Sequence, residues 1–230
     1  MLNLDINKIY SLPDKDPDKC NEELGKAHCL LWSSRKKLGE LNLGKHNMIS
    51  IKVNDTEFIL TPDSITNCFC NNKIVRNFDD EVQQLIKEYK EKDYTIGSSI
   101  IFPIRIDSKS IGWTMNRARG CSRKICDRFD YTLECIKRYY DKSIDNPLQT
   151  ALEKSSKFFD IFGSFKDYVD FFLLNDLVDK NYNVISFTDT VDFGCAIPNT
   201  KESYIKYLNN TMKFVEKRNK RIDFWSKFIK

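Results

Sequence analysis

An α+β fold is predicted for this 230-residue chain, with small antiparallel hairpins forming a sheet in the first half and packing against a mainly helical second half. Three observations carry that expectation. Apolar and polar residues alternate over 49–53 and 57–60, the period of two expected of half-buried strands, and 98–106 turns to a strand pattern with Ile100, Ile101, Phe102 and Ile104. From residue 124 onward the apolar residues recur at helical spacing instead. The composition, 41% hydrophobic and 30% charged with only 8 Gly and 6 Pro, suits a globular chain able to bury a sizeable core. The whole chain, 1–230, is read as one unit: a loop-rich segment 1–48, a hairpin-containing part 49–116 and a mainly helical part 117–230.

Each element follows from local pattern. Pro13 to Asp18 is a turn-forming polar stretch, and residues 22–32 offer the one plausible helix before residue 48. Residues 49–53 and 57–60, separated by Asn54-Asp55-Thr56, form a hairpin. Thr61-Pro62-Asp63-Ser64 reads as a helix start, Thr61 as cap and Pro62 in the first turn, with a short helix through Cys68. Residues 81–92 form a helix with Val82, Leu85, Ile86 and Tyr89 inward. A second hairpin pairs 98–106 with 110–115, Pro103 marking an edge or bulge. Helices are expected over 124–140 and 148–159, and another over 165–178, opened by Ser164 and Asp167 at capping-box spacing. Residues 184–187 read as a buried strand. Residues 200–229 form a long terminal helix capped by Thr200.

Charge is nearly balanced, 37 basic against 33 acidic residues for a net +4, so any basic function must be local. Asp5 stands where a signal peptide needs basic and then apolar residues, and no run approaches the ~20 apolar residues of a membrane span. A cytoplasmic location without membrane association is therefore expected, with the 8 Cys reduced and mostly acting as small hydrophobes.

The densest polar motif is Asn116-Arg117-Ala118-Arg119-Gly120 followed by Asp127-Arg128-Phe129-Asp130 and Glu134. On one continuous helix, Asp127, Asp130, Glu134 and Arg138 share a sector. That sector could act as carboxylates sharing a proton or Mg²⁺, or as a solvated face with Glu134 and Arg138 paired four apart. Arg117, Arg119, Arg123 and Lys124 surround Gly120-Cys121-Ser122, where a turn before a helix would offer free amides to an anion. Alternatively, Arg119 and Arg128 form structural pairs with neighbouring acids. Asp176, Arg218 and Asn219 project onto apolar helix faces and could converge on one buried network or pocket. Lys206, Lys213, Lys217, Lys220 and Lys227 line one side of the terminal helix around Phe224, a face that could bind nucleic acid or simply be solvated. Cys68-x-Cys70 and Cys121-x4-Cys126 lack zinc-knuckle spacing and a histidine pair, so no metal site is expected from them. No phosphate-binding glycine motif and no nucleophile–histidine arrangement is legible.

The blocks Asp16-Pro17-Asp18, Leu30-Leu31-Trp32-Ser33, Tyr94-Thr95-Ile96-Gly97, Asn116-x-Ala118-Arg119-Gly120, Ile125-x-Asp127-Arg128-Phe129-Asp130, Asp167 to Leu174 and Arg218-Asn219-x-Arg221-Ile222 occur in an order that resembles a bacterial domain-of-unknown-function family, DUF6994. The resemblance spans nearly the whole chain and implies no activity. Tyr131 stands where that pattern has Leu, and residues 186–193 lack its Pro and paired Phe.

The resulting expectation is binding of a phosphorylated or otherwise anionic small molecule in an arginine-lined pocket, with possible hydrolytic chemistry. Asn116, Arg119, Gly120, Arg128, Asp176, Arg218 and Asn219 would bind ligand, and Asp127, Asp130 and Glu134 would supply acid/base or Mg²⁺ contacts. The alternatives are a non-enzymatic nucleic-acid or protein interaction module, using Lys213, Lys217, Lys220 and Lys227, and a Mg²⁺-dependent nuclease using the acidic sector.

Overall fold

A computed structural model describes residues 4–12 and 15–227. The chain begins with α1 (Pro17–Cys20) and α2 (Glu22–Ser33), continues through the strands β1 (Asn42–Leu43), β2 (Ile49–Val53) and β3 (Thr56–Ser64), and then forms α3 (Lys73–Arg76) and α4 (Asp80–Lys92). After a 3-10 turn at Ile96–Ser98 come β4 (Ser99–Ile106) and β5 (Lys109–Ser110). The rest is helical: α5 (Met115–Cys121), α6 (Phe129–Tyr140), α7 (Gln149–Lys154), α8 (Ser156–Asp160), α9 (Phe165–Phe171) and α10 (Lys201–Ser226). The expected α+β organisation is therefore present, as a five-stranded antiparallel sheet in the order β1-β2-β3-β4-β5 followed by helices. No described helix is long and apolar enough to cross a membrane.

Alternation buries Ile49, Ile51, Phe58 and Leu60 on the sheet face that meets the helices. Against it lies an aromatic cluster in which Trp32, Phe162, Tyr168, Phe171 and Phe172 touch, the Tyr168 and Phe172 rings 4.8 Å apart. α10 is held at its start by the cap of Thr200 on Ser203 and packs on α4 and the 96–98 turn. Its inward Arg218 donates to the carbonyls of Gly97 (2.8 Å), Ser99 (2.7 Å) and Phe172 (3.2 Å). That one side chain ties the terminal helix to the sheet and to the end of α9.

Several local expectations are corrected by long-range pairing. Residues 61–64 are not a helix start: they continue β3, Pro62 lying opposite Ile101 and Asp63 opposite Ile100. β2 pairs β3 only as far as Leu60, so Pro62 faces an open margin where its missing N–H costs no ladder bond. No helix follows through Cys68. Register shifts between Ile59 and Leu60, opposite the Pro103 region, as an irregularity there would require.

The 110–115 strand shrinks to two residues because Thr114 instead caps α5. Gly120 and Cys121, expected in a turn with Ser122 before the next helix, are the last residues of α5. The 124–140 helix begins only at Phe129, because Cys126 (φ 49°) and Asp127 (φ 60°) turn left-handed. The 165–178 helix stops at Phe171: Leu173 is left-handed (φ 56°) and the Leu174 N–H closes back on the Val169 carbonyl at 2.9 Å, a helix-terminating loop. Residues 184–187 form only a single bridge, Val178 to Val184. Residues 13 and 14 of the polar turn, and 228 and 229 of the terminal helix reading, lie outside the described residues.

Candidate functional site

The continuation of β3 brings Asp63 and Ser64 beside α1. Asp16 caps that helix, accepting from the Asp18 N–H at 3.1 Å, and Pro17 occupies its first position, where no N–H is needed. Asp18 is thereby turned inward, 8% exposed, and its Oδ2 accepts the Ser64 N–H at 3.0 Å. From the other side Thr114 caps α5 and sets Asn116 and Arg117 over the same strand, the Asn116 Nδ2 donating to the Pro62 carbonyl at 3.2 Å. Between them lies a cleft of about 560 Å³ lined by Asp16, Asp18, Lys19, His46, Asp63, Asn116 and Arg117, among others.

Behind the cleft wall stands Arg119, fully buried. Its Nε donates to the Thr132 hydroxyl (2.8 Å), Nη1 to the Asp63 carboxylate, and Nη2 to the carbonyls of Ser64 (3.2 Å) and Asp127 (3.1 Å), with the Asp127 carboxylate 3.3 Å away. One guanidinium therefore faces Asp63 and Asp127 directly, with Asp18 close by. Burial, opposed by Arg119, pushes the Asp63 carboxyl up to about 6. Burial and the neighbouring Asp63 raise Asp18 well above the usual carboxylate range, and burial raises Asp127. Two acceptors in this wall have no hydrogen-bond partner among the described residues, Asp18 Oδ1 and Asn116 Oδ1. On the rim Arg117 is exposed, stacks on Trp113 at 5.6 Å and forms no ion pair among the described residues, while Lys19 is paired with Asp16 at 2.9 Å.

The other sequence-expected groups go elsewhere. Arg128 and Asp130 form a second, separate network, 1% and 0% exposed. Arg128 donates to both Asp130 oxygens (3.1 and 2.5 Å), to the Ala196 carbonyl (2.9 Å) and to Ser186 and Thr188, and lies 4.0 Å from the Tyr131 ring centroid. Asp130 also accepts the Phe187 N–H at 2.8 Å. This network ties the 186–196 loop to the start of α6, with both charged side chains almost wholly buried.

The acidic sector is thus dispersed, each member on its own arginine: Asp127 on Arg119, Asp130 on Arg128, and Glu134 on Arg138 at 2.8 Å. Among the described residues no group of three or more His, Cys, Asp or Glu is arranged to hold a metal ion. Gly120 lies within α5 in an ordinary helical conformation, and a Cβ there would meet nothing within 4 Å, so its lack of a side chain serves no close approach. The single buried network of Asp176, Arg218 and Asn219 does not form. Asp176 pairs with Arg221 (2.8 Å), Arg218 binds carbonyls, and Asn219 accepts the Gly97 N–H and donates to Thr95, both at 2.8 Å. On α10, Lys206 and Lys227 pair with Asp189 and Asp223, while Lys213, Lys217 and Lys220 are exposed and make no ion pair among the described residues.

Sequence reasoning reached Asn116, Arg119 and Asp127 but missed Asp18 and Asp63, the two cleft carboxyls. The signal for Asp18 was on the page, since Asp-Pro-Asp is a capped first turn as well as a loop. That for Asp63 was hidden by a strand that looks like a helix cap.

Comparison with curated proteins yields no match, and comparison with solved structures yields none either. The model of one family, described as a family of unknown function (DUF6994), matches residues 3–222. That span takes in the α1 carboxylate, the β3 margin, α5 and both arginine networks together, and the chain belongs to the DUF6994 family.

Proposed function

We propose that the cleft between α1, β3 and α5 binds a polar small molecule carrying an anionic group and that Asp18 and Asp63 form a proton-handling pair able to support its hydrolysis. The observation that carries this reading is a half-buried carboxyl, Asp63, poised near 6 on the wall of a 560 Å³ cleft beside a second carboxyl whose Oδ1 has no partner among the described residues. A group with that pKa exchanges a proton readily near neutral pH, as general acid–base work requires. Asp18, whose carboxyl burial and the neighbouring Asp63 shift upward, is the complementary member of the pair. Arg119 acts as a positioning residue, fixing Asp63 from behind. The arginine that meets the ligand is Arg117, aided by Lys19 and His46 on the rim, and Asn116 Oδ1 is left to accept a ligand hydroxyl.

The test is a thermal-shift and turnover screen with sugar phosphates, nucleoside monophosphates and p-nitrophenyl phosphate. A probe at 100 times its dissociation constant adds about 2.7 kcal/mol of stability. The expected pattern is a shift lost in Arg117→Ala and kept in Asp63→Asn, with turnover lost in Asp63→Asn. A shift indifferent to Arg117, or turnover surviving both Asp63→Asn and Asp18→Asn, contradicts the reading.

A second reading is nucleic-acid binding on the α10 face, favoured by the exposed lysines Lys213, Lys217 and Lys220, which make no ion pair among the described residues. It requires salt-dependent binding of a single-stranded oligonucleotide that weakens when Lys217 and Lys220 are reversed to Glu.

A further inference from the structure

Beside the cleft between α1, β3 and α5 stands an indole that the core does not use. Trp32 is fully buried and Trp225 packs against the core, whereas Trp113 is 37% exposed. The turn before α5 sets its place. The Trp113 N–H closes on the Ile111 carbonyl at 3.0 Å around Gly112, whose φ of 73° suits a residue without a Cβ. Thr114 then caps α5, its hydroxyl accepting the Arg117 N–H at 3.3 Å. Trp113 is thereby placed next to the segment whose Thr114, Asn116 and Arg117 line the cleft, and the Arg117 guanidinium lies over its ring, 5.6 Å from the centroid. A guanidinium held over an aromatic ring uses its face there and keeps its N–H edges for a phosphate. Charge narrows the ligand further. Arg117 forms no ion pair among the described residues, Lys19 is neutralised by Asp16 at 2.9 Å, and Asp18 and Asp63 stand in the wall. One unpaired guanidinium facing those carboxyls suits a single phosphate rather than a chain of two or three. In the wall, Asn116 and Asp18 hold neighbouring groups of the open β3 margin, the Pro62 carbonyl and the Ser64 N–H, and the Oδ1 of each has no partner among the described residues. Those two atoms offer hydrogen-bonding positions to the hydroxyls of a sugar.

We propose, resting on the cleft reading above, that the ligand is a nucleoside monophosphate: its phosphate takes the N–H edge of Arg117, its ribose enters the cleft against Asn116, and its base stacks on the exposed surface of Trp113. Every base has a π-face, so stacking on one indole selects the class of ligand and not the base. A sugar phosphate carries the first two groups and has nothing to lay on Trp113.

The experiment is isothermal titration calorimetry of the full chain with adenosine monophosphate and with ribose 5-phosphate, accompanied by tryptophan emission. The parent should bind the nucleotide about tenfold more tightly than ribose 5-phosphate, the margin that one stacked base supplies, and only the nucleotide should quench emission. Trp113→Leu should abolish that margin and the quenching while leaving the affinity for ribose 5-phosphate unchanged. Trp113→Phe, which keeps a ring, should retain most of the margin, and Arg117→Ala should weaken both ligands. Because Trp113 lies outside the core, an unaltered melting temperature in Trp113→Leu separates a lost contact from a lost fold. Equal affinity of the parent for the two ligands, or an equal loss of both in Trp113→Leu, overturns the proposal while leaving the anion cleft in place. Binding of neither ligand, or binding of both that survives Arg117→Ala, removes the cleft reading and this proposal with it.

Discussion

Two buried arginines, nine residues apart in sequence, sit in opposite kinds of surroundings. Around Arg128 the bonds close on one another: Asp130 accepts from Arg128, Ser186 and the Phe187 amide, and the two charged side chains are 1% and 0% exposed. Arg119 makes four hydrogen bonds against five for Arg128, but the carboxyls beside it belong to a cleft wall, with Asp63 16% exposed and Asp18 keeping one oxygen without a partner among the described residues. Both motifs read alike as sequence, an arginine among aspartates. What separates structure from site is whether the acids on that arginine are also finished on their far side.

The comparison can be broken most directly at its closed end. Arg128→Ala leaves Asp130 fully buried with no counter-charge, and a loss of about 3–5 kcal/mol in urea unfolding is expected. A loss below ~1 kcal/mol would mean that the network does not hold the 186–196 loop. Arg119→Ala should cost less, about 2–3 kcal/mol, because Asp63 lies at a cleft and can take up a proton instead of remaining charged. If the two variants cost the same, the open end is not open.

The next effect is one of pH. Asp63 holds its proton up to about 6 in the folded protein, whereas the unfolded chain releases it near the ordinary carboxylate value of 3.8. Between roughly pH 4 and 6 the native state therefore binds more protons, and its stability falls as pH rises through that window. Asp18 and Asp127, shifted the same way, add to the slope. Asp63→Asn should make it shallower; a slope identical to that of the parent removes Asp63 from the account. The smallest effect belongs to the dispersed member of the acidic sector. Glu134→Gln breaks a half-exposed i,i+4 pair with Arg138 and should cost about 0.5 kcal/mol without altering ligand binding.

How much of this was legible depends on how far away each residue's partner lies. Helix caps such as Thr200 and Ser164, the inward stripe of α4 and the Glu134–Arg138 pair are written within three or four residues, and local pattern found them. Thr61-Pro62-Asp63-Ser64 carries the letters of a helix start, and only pairing with residues 99–102 makes it a strand. The identity of the candidate site hangs on that one segment, since Arg119 meets Asp63 across 56 residues. Asp127 was placed on a helix face because nothing local announces that Cys126 and Asp127 turn left-handed. Asp176 was likewise placed on a continuous helix that Leu173 interrupts.

The central claim is that Asp63 is a cleft carboxyl tuned by its surroundings, and a carboxyl-carbon NMR titration of aspartate-labelled protein tests it most directly, with Asp63→Asn supplying the assignment. A resonance lost in that variant that titrates with a midpoint near 6 is the predicted result. A midpoint near 4 would contradict the account and return Arg119 and its aspartates to the same standing as Arg128.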